Sequence, residues 1–210
     1  MRELILKMSI SLDGFVGGPE GEAGWVFGAD EEAVAWTVET VWNASLHIMG
    51  SRTFHDMAAF WPTSTQVFAP PMNQIPKAVF SKQGPAVLTA GATTRTLKDA
   101  RAHAGDASSA ELQPGADSWA QAYVAGGDLS DEINRLKAED GKPIIAHGGA
   151  RFARSLIARN LVDEYALLVH PIALGKGLPI FSDLPAPRPL KRVSAKAFSG
   201  GCVAQIYRAA

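Results

Sequence analysis

The chain is short of cysteine, of net charge and of long apolar runs, and each shortage removes a class of protein. Its one cysteine, Cys202, excludes an intrachain disulfide, and with no Cys/His cluster a structural zinc site is not expected. No apolar stretch of signal-peptide length precedes the strand-like run Leu4-Ile5-Leu6-Lys7-Met8, so the protein is expected in the cytoplasm. With 20 Lys+Arg against 21 Asp+Glu the net charge is -1, and no overall field draws the protein to nucleic acid or to an anionic membrane. Any anion it binds must be held by local geometry. The single-loop GxGxxG fingerprint and GxxxxGK[ST] are both missing, which disfavours the standard dinucleotide domain and the P-loop hydrolases. A hydrolase would need a nucleophile beside a base, and although His147 and His170 are present, no Gly-x-Ser-x-Gly elbow accompanies them. The five histidines are too scattered to argue for a metal.

What is there is an ordinary globular composition, 47% hydrophobic and 20% charged, in a chain of 210 residues that suits one core better than two. Residues 3–11 read as a strand, and Asp13-Gly14, Gly17-Gly18-Pro19 and Gly21 make the next stretch a glycine-rich loop. Asp30 is a good N-cap for a helix over 31–43, with Val34, Val38 and Val41 at helical spacing. Leu46 to Met49 is a short strand closed by Gly50, and Ser51-Arg52-Thr53-Phe54 opens a second helix. Ala78-Val79-Phe80 ends in Ser81-Lys82, after which 84–117 turns to Ala, Gly, Ser and Thr and reads as an insertion, either a flap or a disordered excursion. A strand is expected over 119–124, a helix from Asp128, a buried strand over 143–147 ending in Gly148-Gly149, and then a helix carrying Phe152, Leu156 and Ile157. The last third, 164–170, 190–198 and 202–207, reads as strands joined by turns, so an antiparallel edge should close a mainly parallel sheet.

In such a sheet ligands bind beyond the carboxyl ends of the strands, where glycines admit a phosphate and helix N-termini offer free N–H groups. Two places match: Gly50-Ser51-Arg52-Thr53, and Gly148-Gly149-Ala150-Arg151-Phe152. Each alone is ordinary turn chemistry; together they would clamp a diphosphate from two sides.

With these two stretches go Ser9-Ile10-Ser11-Leu12-Asp13-Gly14-Phe15, Ser81 after a strand, and the run from Leu161-Val162-Asp163-Glu164 through Gly175-Lys176-Gly177-Leu178-Pro179-Ile180-Phe181. Carrying these motifs over nearly its whole length, the chain resembles the C-terminal reductase domain of the bacterial bifunctional deaminase-reductase of riboflavin biosynthesis. It resembles still more the stand-alone relatives of that domain in the dihydrofolate reductase superfamily. The resemblance implies a dihydrofolate-reductase-like three-layer α/β sandwich with a C-terminal antiparallel hairpin, and an NADPH-dependent reductase acting on a small conjugated heterocycle. A pteridine or a pyrimidine would fit, 5-amino-6-(5-phosphoribosylamino)uracil among the possible types. It implies cofactor contacts from Gly50, Ser51, Arg52 and Thr53 on one side and Gly148, Gly149, Ala150, Arg151 and Phe152 on the other. Ser81 and Lys82 would meet the adenosine 2′-phosphate, and the protein would be a homodimer. Asp13 would lie near the nicotinamide, as a substrate contact or simply as a turn residue; Trp25 and Phe27, on the mobile loop, and Trp61 would either wall the substrate or pack in the core.

Two departures narrow the implication. An ungapped match puts Val34 where dihydrofolate reductases hold their pterin-binding carboxylate, and Gly50-Ser51-Arg52-Thr53-Phe54 replaces the alanine-aspartate-aspartate-proline stretch of the riboflavin reductase domain. The His/Cys zinc ligands of the deaminase half are not found in these 210 residues, so a deaminase activity is not expected of them. A nucleotide-binding sensor or structural protein on the same fold, without turnover, is the alternative.

Overall fold

Alternation along the first strand decides the architecture. In β1 (Leu4–Ser11) the even-numbered Leu4, Leu6, Met8 and Ile10 are buried in the main core, whereas Ile5 packs against a separate cluster with Ala44, Ile75 and Ile145. A strand with an apolar partner on both faces must lie inside a sheet covered on both sides. The structure, a computed structural model, describes residues 1–89, 91 and 94–210 and has that arrangement. An eight-stranded sheet runs in the order β4-β3-β2-β5-β1-β6-β8-β7. Here β2 is Leu46–Gly50, β3 Lys77–Phe80, β4 Tyr123–Ala125, β5 Ile144–His147, β6 Glu164–His170, β7 Leu190–Ala197 and β8 Val203–Ala209. All pairings from β4 to β6 are parallel, while β8 pairs antiparallel with both β6 and β7.

Among the described residues the α-helices are α1 (Glu31–Trp42), α2 (Ser51–Ala58), α3 (Ala69–Gln74), α4 (Arg95–Ala104), α5 (Leu129–Ala138) and α6 (Ala150–Ala158). Ile133 and Leu136 of α5 and Ala153, Leu156 and Ile157 of α6 cover one face. The other face meets Val41 of α1, Phe54 of α2 and Met72 of α3, which pack with Met49 and Val79. This is the three-layer α/β sandwich with its antiparallel C-terminal hairpin. No helix among the described residues is long and apolar enough to cross a membrane.

Three local expectations change. Helix α1 buries Ala33, Thr37 and Val41, one step round from the Val34–Val38 stripe, because small residues let its backbone approach the sheet. Trp119 belongs to a 3-10 turn (Ala116–Trp119) and the strand starts at Tyr123, since the buried indole turns inward to donate to Asn73 Oδ1 at 2.8 Å. The 84–117 segment contains a 3-10 turn (Gly84–Leu88) and α4, and long-range bonds pin it: Asp99 accepts from Ala23 N at 3.0 Å and Thr96 Oγ1 donates to Gly21 O at 2.9 Å. Within it Ala90, Ala92 and Thr93 lie outside the described residues.

Candidate active site

Strands β2 and β5 are neighbours, yet β2 hands the chain on towards β3 while β5 hands it on in the opposite direction, across β1 to β6. Beyond their carboxyl ends the two following helices diverge and leave a crevice, which is where open α/β sheets take ligands. A cleft of about 970 Å³ occupies this position. It is lined by all eleven residues expected to touch a cofactor: Gly50, Ser51, Arg52, Thr53, Ser81, Lys82, Gly148, Gly149, Ala150, Arg151 and Phe152.

The two glycine turns are packed against each other. A Cβ on Gly50 would stand 3.3 Å from Phe152 Cβ, and one on Gly149, whose φ is +79°, would stand 2.7 Å from Thr53 Oγ1. Only glycine allows both the left-handed turn and this approach. The same turns leave the helix starts bare. Asp30, Thr94 and Asp128 cap α1, α4 and α5 with side-chain oxygens, whereas Gly50 and Gly149 give α2 and α6 no side-chain cap. Two sets of unsatisfied N–H groups, with the positive ends of two helix dipoles, therefore border one cleft.

Cations add to this field. Among the described residues neither Arg52 nor Arg151 pairs with a carboxylate, while Arg154 is spent on Asp183 and Arg159 on Asp128. Lys82 lines the cleft, but its ammonium donates to Gly126 O and Gly127 O at 2.9 and 2.8 Å, so part of its hydrogen-bonding capacity goes to fastening its own loop. Ser81 Oγ accepts from Gln83 N at 3.1 Å. Asp56 on α2 accepts from Thr94 Oγ1 at 2.8 Å; burial raises its carboxyl pKa above the usual range, against the Thr94 bond and the Arg52 charge.

Four expected contacts are placed elsewhere. The Asp13 carboxylate lies outside the cleft and accepts from Ser11 Oγ at 2.6 Å, Leu174 N at 3.0 Å and Gly175 N at 2.7 Å, tying the end of β1 to the loop after β6. The Ser11 bond first, then the Gly175 amide, hold its pKa down at about 2. This is the turn chemistry that the sequence left open for Asp13 beside a substrate contact. Trp25 turns away from the cleft onto His170, ring centroids 5.1 Å apart, and Phe27 stacks on His103 of α4 at 4.8 Å. Trp61 packs at the edge of the Phe54–Trp119 cluster. All three take the packing that the sequence left open beside a wall for the substrate, and Ala23 and Val26 of the same loop line the cleft.

Two residues not singled out as site residues form the floor. Lys7 of β1 and His147 of β5 are register partners, and both line the cleft. Burial pushes the Lys7 ammonium down to about 8. His147 is 6% exposed and its Nε2 has no partner; burial, with His47, Lys7 and Lys77 nearby, keeps its pKa well below the usual imidazole value. The available signal for Lys7 was that it is the one charged residue of β1. Thr94, Arg95 and Thr96 are a third addition, brought to the rim by the 84–117 segment.

Comparison with known proteins gives a consistent picture. Residues 2–204 match the family described as the RibD C-terminal domain. The chain is similar to the uncharacterised proteins YyaP, 39% identical over 87 residues, and YwjB, 34% identical over 64, both of Bacillus subtilis. These matches cover 41% and 30% of this chain, and 46% and 37% of those proteins, so each spans less than half of its relative. In fold it is similar to a putative riboflavin biosynthesis protein from Shewanella sp. PV-4 (TM-score 0.62, 19% identity, covering 100% of this chain and 99% of that one). It is similar also to the deaminase/5-amino-6-(5-phosphoribosylamino)uracil reductase of Thermotoga maritima (TM-score 0.66, 18% identity, 100% of this chain and 57% of that one). A third likeness is to a pyrimidine reductase-like protein of Corynebacterium diphtheriae (TM-score 0.63, 16% identity, 100% and 92%).

Proposed function

The chain belongs to the RibD C-terminal domain family, and on that premise we propose that it is an NADPH-dependent reductase of a small conjugated heterocycle. The observation that carries the reading is the pair of uncapped helix starts, α2 and α6, facing each other across one glycine-walled cleft. Bare N–H groups beside a backbone with no Cβ fit a diphosphate, and the free guanidinium groups of Arg52 and Arg151 match its charge. The cofactor would lie across Gly50–Thr53 and Gly148–Phe152, and when bound it supplies a hydride to the ring placed against it.

The chain's own groups have three tasks. The glycines and helix starts fix the cofactor, and the walls from Val16, Ala23, Val26 and Leu178 exclude water from the reacting end. Lys7 holds a proton at Nζ. With its pKa near 8 it is mostly charged at neutral pH and close to the value that favours proton donation. A protonated Lys7 on the cleft lining suits a substrate presenting a carbonyl or oxyanion, as a pyrimidine or an oxidised pteridine does. The protein is taken as cytoplasmic and homodimeric, with β7, the edge strand of the C-terminal hairpin and exposed along nearly its whole length, as the surface a second copy would cover.

Titration with NADPH and with NADH, followed by tryptophan quenching, tests the reading, with Arg52→Ala as control. Binding that favours NADPH and weakens in the variant is expected. Failure of the wild-type protein to bind either nucleotide would overturn the reductase reading and leave a structural role on the same fold.

A further inference from the structure

An outer lobe of about 420 Å³ opens beside the main cleft, lined by Glu20, Ser51, Arg52, His55, Gln83, Thr94 and Arg95. Ser51 and Arg52 belong to the glycine turn after β2, and Gln83 follows the Ser81-Lys82 turn after β3, whereas Thr94 and Arg95 come from the 84–117 segment. Two guanidinium groups thus face one small space from two unrelated parts of the chain.

The placement of Arg95 is built. Thr94, its neighbour, caps α4 by accepting from Leu97 N at 3.2 Å and donates to both carboxylate oxygens of Asp56 at 2.8 Å. Thr96, on its other side, is tied to Gly21 O at 2.9 Å. One turn on, Asp99 accepts from Arg95 Nε at 3.1 Å and from Ala23 N at 3.0 Å. Among the described residues this Nε bond is the only hydrogen bond of the Arg95 guanidinium, so its stem is fixed while the terminal N–H groups are available. Lys82, meanwhile, shares its ammonium between two carbonyls and is a weaker source of charge than its position in the sequence suggests.

We infer that Arg95, delivered by the 84–117 segment, forms with Arg52 a two-guanidinium clamp for a phosphomonoester dianion, and is the residue that sets preference for the 2′-phosphorylated dinucleotide. The inference rests on the reductase reading. A dianion suits the lobe because two fork-shaped guanidinium groups meet there: Asp99 takes only the Nε of Arg95 and leaves its terminal N–H groups to a ligand, Arg52 has no carboxylate in salt-bridge contact among the described residues, and guanidinium groups bind phosphate oxygens in pairs. The segment is then part of the ligand site, held in place by Asp56, Gly21 and Ala23.

The test uses the full chain and compares NADPH, NADH and 2′,5′-ADP binding by calorimetry for the wild type, Arg95→Gln and Arg95→Lys. Arg95→Gln should weaken NADPH and 2′,5′-ADP about 10- to 100-fold, the range for losing charged hydrogen bonds, and leave NADH within about twofold. Arg95→Lys should restore part of the loss. A merely structural role would lower affinity for NADH and NADPH together, so the ratio of the two is the decisive reading, and a thermal melt of each variant checks that it folds. An unchanged NADPH:NADH ratio in Arg95→Gln, or a wild type that binds the two equally, overturns the inference but leaves the cofactor reading standing. A wild type that binds neither overturns both.

Discussion

Three histidines sit where protonation is costly, and acidification should therefore unfold this protein unusually early. His47 of β2 is fully buried and, among the described residues, neither ring nitrogen reaches a partner at full hydrogen-bond geometry; its ring meets that of His147 edge-on, centroids 4.6 Å apart. Burial, reinforced by the Lys77 charge and opposed by the Val41 backbone, lowers its pKa to about 3. Burial and the Lys7 charge lower His170 to about 4, and His147 lies well below its usual value. Because the folded values are depressed, the stability these groups confer is present above about pH 6.5, where unfolded imidazole is neutral, and is lost as pH falls towards the folded values. Between pH 7 and pH 5 each unfolded histidine takes up most of a proton that the folded one refuses. Integrated, that is about 2 kcal/mol each for His47 and His170 and roughly 4 kcal/mol for the pair, a large part of the stability of an ordinary domain, with His147 acting in the same direction. Urea unfolding at pH 7, 6 and 5 measures it, with His47→Leu beside the wild type. The variant loses its two unpartnered nitrogens and should lose about 2 kcal/mol less than the wild type over the same interval. A wild-type loss under about 2 kcal/mol, or equal losses in the two proteins, would refute the reasoning.

Other consequences can be tested alongside. Gly149→Ala puts a side chain at φ +79° and within 2.7 Å of Thr53 Oγ1, so it should cost about 1–3 kcal/mol of stability and weaken NADPH binding at least about tenfold, measured by melting and titration. Lys7→Met should retain NADPH affinity and lose about 10²- to 10⁴-fold in turnover on any heterocycle that supports NADPH oxidation, and the wild-type rate should fall above about pH 8 as Lys7 deprotonates. Asp13→Asn should lower the melting temperature and leave the NADPH dissociation constant unchanged, because the carboxylate serves the loop at Leu174 and Gly175; its contribution is present above the unfolded carboxyl value and fades as pH drops towards about 2.

The two glycine turns that line the cleft were legible because their signals are local: a glycine at a strand end, a helix start behind it, and an arginine one or two residues on. What escaped depends on contacts distant in sequence. Nothing near Trp25 or Trp61 announces that the rings turn inward, because burial of an aromatic depends on partners such as His170 or Phe68. A lysine within a strand ordinarily marks a solvent-facing position, whereas the sheet that holds Lys7 is covered by helices on both faces. The 84–117 segment, with its small polar residues, reads as a loop, yet its order comes from Asp99 reaching Ala23 and Thr94 reaching Asp56, over separations that no local pattern records. The α1 stripe was displaced by one residue for a related reason: valines mark hydrophobicity, but close approach to a sheet selects the smaller Ala33 and Thr37.

The central claim is that one dinucleotide touches both glycine turns at once, and amide hydrogen exchange with and without saturating NADPH tests it most directly. The account predicts slowed exchange in two separated stretches together, Ser51–Phe54 at the start of α2 and Ala150–Ala153 at the start of α6. Binding of NADPH with protection in neither stretch, or in only one of them, would contradict it.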